Sequence, residues 1–408
     1  MKKNLFVGFI ALAALTVTSC TNDEVVEAIP QKQAIEFGTY LGRDAQSRGT
    51  VLGDINGTDF LDFGVFASYT HGAVWNGNAI PNFMFNQKVS RTKSDQGTFS
   101  AWSYSPLKYW PTTQENEFIS FFAYAPYATA DNCISVNADD KSLTGTPKIT
   151  YTITADKLDK MADFTADVQM NETKTYAGAN PDKSTRNVDF GFRHELTRVA
   201  IQAKLDRDAF DATDANKTKV NIKQIDFTGA GFATKATYQF ANTSDTRGAW
   251  TYTAAATATP LEIIAGAAGS VLVNNNTLTN GKGNWLEKYK TAGYLLEDDD
   301  EEIIFGENNY LFLIPPTKAG ITAVENAVSM IVYYDIVTAD AALDNGYSIS
   351  SAVKQIDLPT NAGLLTQGAA YKFTLTFNLN GVTFSAKVED WPTEGNHDAN
   401  VDYPKTDK

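Results

Sequence analysis

The chain of 408 residues has two cysteines, three histidines and no run of basic residues. Each shortage excludes something. Two cysteines cannot build a disulfide framework, so stability must come from apolar burial. His71, His194 and His397 are isolated in sequence, and no HExxH, CxxC, GxSxG or P-loop pattern occurs. No residue is therefore singled out as catalytic or metal-ligating, no cofactor is expected, and the chain does not read as an enzyme. Carboxylates are plentiful, which leaves a glycosidase pair open without marking one. The acidic run Glu297 to Glu302 (EDDDEE) lacks the alternate ligands and glycine-aided bend of a calcium loop and reads as solvated. Net charge is −14, which argues against nucleic acid and anionic lipid as partners. Long amphipathic helical patterns are also missing.

Only one long apolar run occurs, Leu5 to Val17 (LFVGFIALAALTV). It is shorter than the roughly 20 residues that span a bilayer. Lys2 and Lys3 precede it, and Thr18 and Ser19 lead into Cys20. This is the layout of a secretory leader, residues 1–19, that ends at a lipidated cysteine. Val17 stands where leucine is commonest in such a signal. A diacylated Cys20 would anchor the chain to the outer membrane, since stable anchoring takes more than one acyl chain. Residues 20–33 then form an acidic tether. Asp23 and Glu24 resemble the export tag of Bacteroidetes surface lipoproteins. With Cys20 carrying lipid, Cys133 stands alone and reads as a small, buried or half-buried apolar residue.

Aromatic residues make up 12% of the chain, with 24 Phe and 18 Tyr. Many fall in β-like runs. In Tyr371 to Val388 (YKFTLTFNLNGVTFSAKV), apolar and polar residues alternate on both sides of Asn380-Gly381. A two-residue type I′ turn there places Leu379 opposite Val382 and Phe377 opposite Phe384. Further strands are expected at 34–40, 61–69, 118–124, 149–153, 199–205, 220–227, 310–314 and 330–337. Residues 157–168 leave a short helix open. This spacing of strands suggests an all-β chain of antiparallel sandwiches. A polar loop ending near Arg186 suggests a boundary, with one sandwich over 34–187 and a second over 188–408 that ends in a polar tail.

Several stretches together resemble the fimbrillin family of Bacteroidales. They are YSPLKYWP (Tyr104–Pro111), FISFFAYAPY (Phe118–Tyr127), VDFGFRHELTRVAI (Val188–Ile201), FLIPP (Phe312–Pro316) and FSAKVEDW (Phe384–Trp391). The resemblance implies two tandem transthyretin-like β-sandwiches with Greek-key antiparallel sheets. It also implies a subunit of a type V pilus, a surface fimbria that supports adhesion and has other pilus subunits as partners. In that family an arginine-specific protease removes the first strand, and a neighbouring subunit's donor strand fills the groove. Here AIEFGTY (Ala34–Tyr40) is the candidate first strand. Arg48, in Ser47-Arg48-Gly49, is the candidate cleavage site, and Arg43 is its rival. The end of the chain departs from the pattern of a donor strand. After Trp391 only Val401 and Tyr403 keep a period of two, and Pro404 interrupts them. Stalk, anchor and tip positions therefore all stay open.

A second reading is a glycan-binding lipoprotein of a polysaccharide uptake system. Such proteins display exposed indoles, and Trp75, Trp102, Trp110, Trp250 and Trp285 are available. Trp75, in the glycine-rich stretch HGAVWNGN, is the one expected at the surface.

Overall fold

The computed structural model describes residues 33–41, 60–111, 117–174, 187–206, 217–252, 260–275, 289–296, 300–305, 310–316, 328–359, 364–378 and 381–389. Nearly all their regular structure is β, as the alternating and aromatic runs require. Four sheets are present among them.

The first sheet has six strands. Its order is β1 (Glu36–Leu41), β8 (Asn187–His194), β7 (Thr165–Glu172), β4 (Ile119–Ala125), β2 (Asp62–Tyr69) and β3 (Met84–Ser90). The second has four: β12 (Ala249–Tyr252), β11 (Lys235–Gln239), β6 (Lys148–Thr152) and β5 (Ile134–Ser135). Rings interlock between these two sheets. Phe122 lies 5.7 Å from Phe240, and Phe164 lies 5.0 Å from Tyr238 and 5.6 Å from Trp250.

Two five-stranded sheets form a second facing pair. One runs β13 (Leu261–Ile264), β10 (Thr218–Thr228), β17 (Val328–Ala339), β18 (Tyr347–Leu358), with β14 (Tyr294–Leu296) also on β10. The other runs β15 (Glu302–Phe305), β9 (Thr197–Leu205), β19 (Ala370–Asn378), β20 (Gly381–Glu389), with β16 (Leu311–Leu313) also on β9. Tyr334 of β17 meets Phe377 of β19 at 5.0 Å across the gap.

Strand β4 shows why some runs are apolar without alternation. Ile119, Phe121, Ala123 and Ala125 point to one face of the six-stranded sheet, and Phe122 and Tyr124 to the other; both faces are buried. One face packs on the four-stranded sheet. The other is covered by the chain between Phe99 and Trp110, whose Trp102 ring sits 4.8 Å from Phe63.

The structure corrects several expectations. Two pairings are parallel, β1 with β8 and β9 with β19. Sheet pairing also runs across the boundary placed at 187. Strand β8 begins there and joins strands that precede it, while β11 pairs with β6. The four-stranded sheet has only β5 and β6 from before the boundary, and β11 and β12 complete it. The last hairpin keeps its expected face but not its register: Phe377 opposes Val382, and Leu375 opposes Phe384. Gly381, at φ 139°, pairs with Asn378 inside the ladder. A slip of two residues preserves every side chain's face, so alternation alone does not forbid it. Residues 155–160 form a 3₁₀ turn, and β7 begins at Thr165.

Candidate functional site: the first strand in its groove

Strand β1 is an edge strand, and its sequence explains how it is held. Ile35 and Phe37 have the spacing of two that sends both side chains to one face, and both are buried. Glu36, between them, is exposed. The Phe37 ring lies 6.1 Å from Phe63, 5.3 Å from Tyr104, 6.0 Å from Phe121 and 5.8 Å from Phe190. Edge-to-face and offset contacts of this kind add to the area term for aromatic burial. Each of the two side chains contributes roughly 1.5–3 kcal/mol by leaving water.

Backbone bonds hold β1 along one side and the residues just before it along the other. On one side it runs parallel to β8, from Glu36 opposite Asn187 to Leu41 opposite Phe192. On the other, Ile35 N donates to Lys108 O at 2.9 Å, and Trp110 N donates to Gln33 O at 3.0 Å. The Tyr104 hydroxyl adds a bond of 2.8 Å to the Ile35 carbonyl. Burial raises the Tyr104 pKa, so this hydroxyl stays a donor at neutral pH. Gly38 fits where a β-carbon would stand 2.1 Å from Asp189 Oδ1.

The arrangement seats an edge strand on an aromatic groove. Without β1, the β8 edge would present unpaired N–H and C=O groups beside Phe63, Phe121 and Phe190. An edge of that kind recruits another extended chain. The converging rings come from the stretches around Tyr104, Phe121 and Phe190. Their aromatic content was visible in the sequence, but no local pattern says that they meet at the first strand.

Cys20, Arg43 and Arg48 lie outside the described residues, as do His397 and Trp285. Arg48 follows the last residue of β1 by seven positions. His194 shares a 2.5 Å hydrogen bond between Nδ1 and Asp163 Oδ2. The His71 ring lies 4.0 Å from that of Tyr69, tilted against it. Cys133 is half-buried, and burial pushes its thiol up to about 11. Of the acidic run, Glu301 accepts bonds from Gln202 and Lys204, and Glu302 accepts one from Tyr294. Among the described residues, no group of three or more His, Cys, Asp or Glu is placed to hold a metal ion.

Trp75 is not at the surface. Its ring packs 5.3 Å from Phe122, its backbone N–H donates to Asn171 at 2.6 Å, and its indole donates to Asn242 at 3.4 Å. Two side-chain acceptors thus fix a glycine-flanked loop over the core. Trp110 and Trp250 are buried as well. Trp102 is half-buried, with the Arg91 guanidinium 4.4 Å from its ring.

The sequence model of a family described as fimbrillin-like matches residues 55–391. The chain is 26% identical over 410 residues to fimbrium subunit Fim1C of Phocaeicola vulgatus, an alignment covering 96% of this chain and 98% of that one. Its fold is similar to the crystal structure of a fimbrial protein from Bacteroides vulgatus, with a TM-score of 0.62 and 22% identity. That match covers 89% of this chain and 100% of the other.

Proposed function

Because the chain belongs to the fimbrillin-like family, we propose that it is a structural subunit of a cell-surface fimbria whose assembly works through the groove of β1. Cys20 carries the lipid that brings the precursor to the outer membrane. Cleavage after Arg48, or after the rival Arg43, separates β1 from the rest of the chain. The freed groove then takes a strand from another pilus subunit, either a second copy or a different chain. The polymer serves adhesion at the bacterial surface. The two facing pairs of sheets act as its tandem building blocks.

One observation carries this reading. The first strand is an edge strand whose anchors, Ile35 and Phe37, fill an aromatic groove built by residues far along the chain. Ahead of the arginines lies a segment whose departure leaves the six-stranded sheet with five strands and an open apolar slot. Burial of Trp75, Trp110 and Trp250 removes the main motive for an exposed indole platform, so a glycan-uptake role has little support from those residues.

Electron microscopy of cells with and without the gene tests the role. Filaments lost with the gene and labelled along their length by antibody support a stalk subunit. Filaments that persist unlabelled contradict a fimbrial role.

A further inference from the structure

Strand order puts β3 at the edge of the six-stranded sheet opposite β1. Beside β3, where the six- and four-stranded sheets part, lies a cleft of about 260 Å³. Its floor is aromatic: Phe66 and Phe85 meet edge to face at 5.3 Å. Leu143 walls one side, and Asp140 and Lys148 stand at the rim. The wall is fixed in place. Gly145 turns at φ 110°, its N–H bonds to Ala79 O at 3.0 Å, and Thr146 accepts a bond from Gln239 at 3.2 Å.

The two rim charges are underused. Asp140 is half-buried, and its Oδ1 accepts one bond from Asn137 at 3.2 Å. Among the described residues, neither its Oδ2 nor the Lys148 ammonium has a side-chain partner. An apolar side chain seated on the rings would strip water from Asp140 and give nothing back, which is costly. A charged ligand of either sign would meet a like charge on one rim. A neutral ring with an apolar face and hydroxyls at its edge meets every wall. Small-molecule sites usually measure about 300–1,000 Å³, so this cleft suits one ring rather than a chain of them.

We propose that this cleft binds a single neutral hexopyranose. The apolar face of the sugar lies on Phe85, its hydroxyls donate to Asp140, and Lys148 donates to a hydroxyl or ring oxygen. Strand exchange at β1 occurs at the far edge of the sheet and leaves the cleft uncovered from that side. Binding is independent of whether the chain polymerises.

Saturation-transfer NMR of the purified chain with D-glucose, D-galactose, D-mannose and N-acetyl-D-glucosamine tests this. Saturable binding of at least one sugar is expected. Phe85→Ala and Asp140→Asn should each weaken it by roughly tenfold or more, the value of one charge-assisted hydrogen bond or ring contact. Asp140→Asn is isosteric, and it decides the matter if Phe85→Ala melts below the assay temperature. Absence of saturable binding for all four sugars, or an affinity that Asp140→Asn leaves unchanged, overturns the proposal.

Discussion

The hydroxyl of Tyr104 donates a 2.8 Å hydrogen bond to the carbonyl of Ile35. The same side chain packs against Phe37, with ring centroids 5.3 Å apart. It therefore grips the first strand by backbone and side chain together. Tyr104→Phe keeps the ring and removes the bond. A loss of about 0.5–1.5 kcal/mol is expected, confined to β1. Amide hydrogen exchange should show faster exchange at Glu36 and Gly38, whose amides face β8, with β19 unchanged. Equal acceleration everywhere would mean that β1 has no opening of its own.

Phe377 is fully buried and touches Tyr334 across the second pair of sheets. Phe377→Ala should destabilise the chain by roughly 3–5 kcal/mol, the usual range for deleting a core phenyl ring. Urea melts measure it. A change well under about 1 kcal/mol would contradict a packed interface there.

Glu195 sits where β8 passes into β9 and is buried. Burial pushes its carboxyl up to about 7, against the pull of Arg247, Gln367, Arg193 and Tyr238. Arg247 Nη1 stands 3.6 Å from the carboxylate, and Gln367 donates to it. The folded state thus holds this proton more tightly than the unfolded chain. Its contribution is complete below the ordinary carboxyl range and is lost as pH rises from about 4.5 to about 7. The total is on the order of 3 kcal/mol. Glu195→Gln should flatten that part of the stability profile and be the more stable protein above pH 7. Thermal melts from pH 4 to 8 that show the same slope in both proteins would exclude this assignment.

Cys20→Ala should abolish labelling by a palmitate analogue and loss of the protein from the cell surface should follow. Undiminished label on the variant would remove the lipid anchor from the account.

Strand content was legible where apolar residues alternate or cluster, as in β2, β4, β9, β10, β17 and β19. Strand β18 was not. Eight of its twelve residues are exposed on the sheet's edge, Ile349 and Val353 among them, so burial imposes no pattern on them. Parallel pairing of β1 with β8 was hidden for another reason. The partners lie some 150 positions apart, and no turn connects them to announce their register. The hairpin at Asn380-Gly381 showed its faces but not its register, since a shift of two leaves the alternation intact. At the candidate site, the sequence displayed Phe37 and its neighbours Ile35 and Gly38. It did not display the four rings around Phe37, which only the fold brings together. Trp75 read as an exposed indole and is buried; the core contact with Phe122 comes from outside its own stretch.

Proteolysis at residue 48 tests the central claim most directly. Wild type at position 48, Arg48→Lys and Arg48→Gln, each carrying Arg43→Gln to remove the rival site, are treated with trypsin or an arginine-specific protease. Mass spectrometry follows the loss of the segment through residue 48. Size exclusion and negative-stain imaging follow assembly. Intact protein should be monomeric, because Ile35 and Phe37 fill their own groove. Once the segment has left, helped by mild warming, the wild type should form rods. Arg48→Lys should do so only after trypsin, and Arg48→Gln with neither enzyme. Protein that has demonstrably lost β1 yet stays monomeric at high concentration would contradict the account.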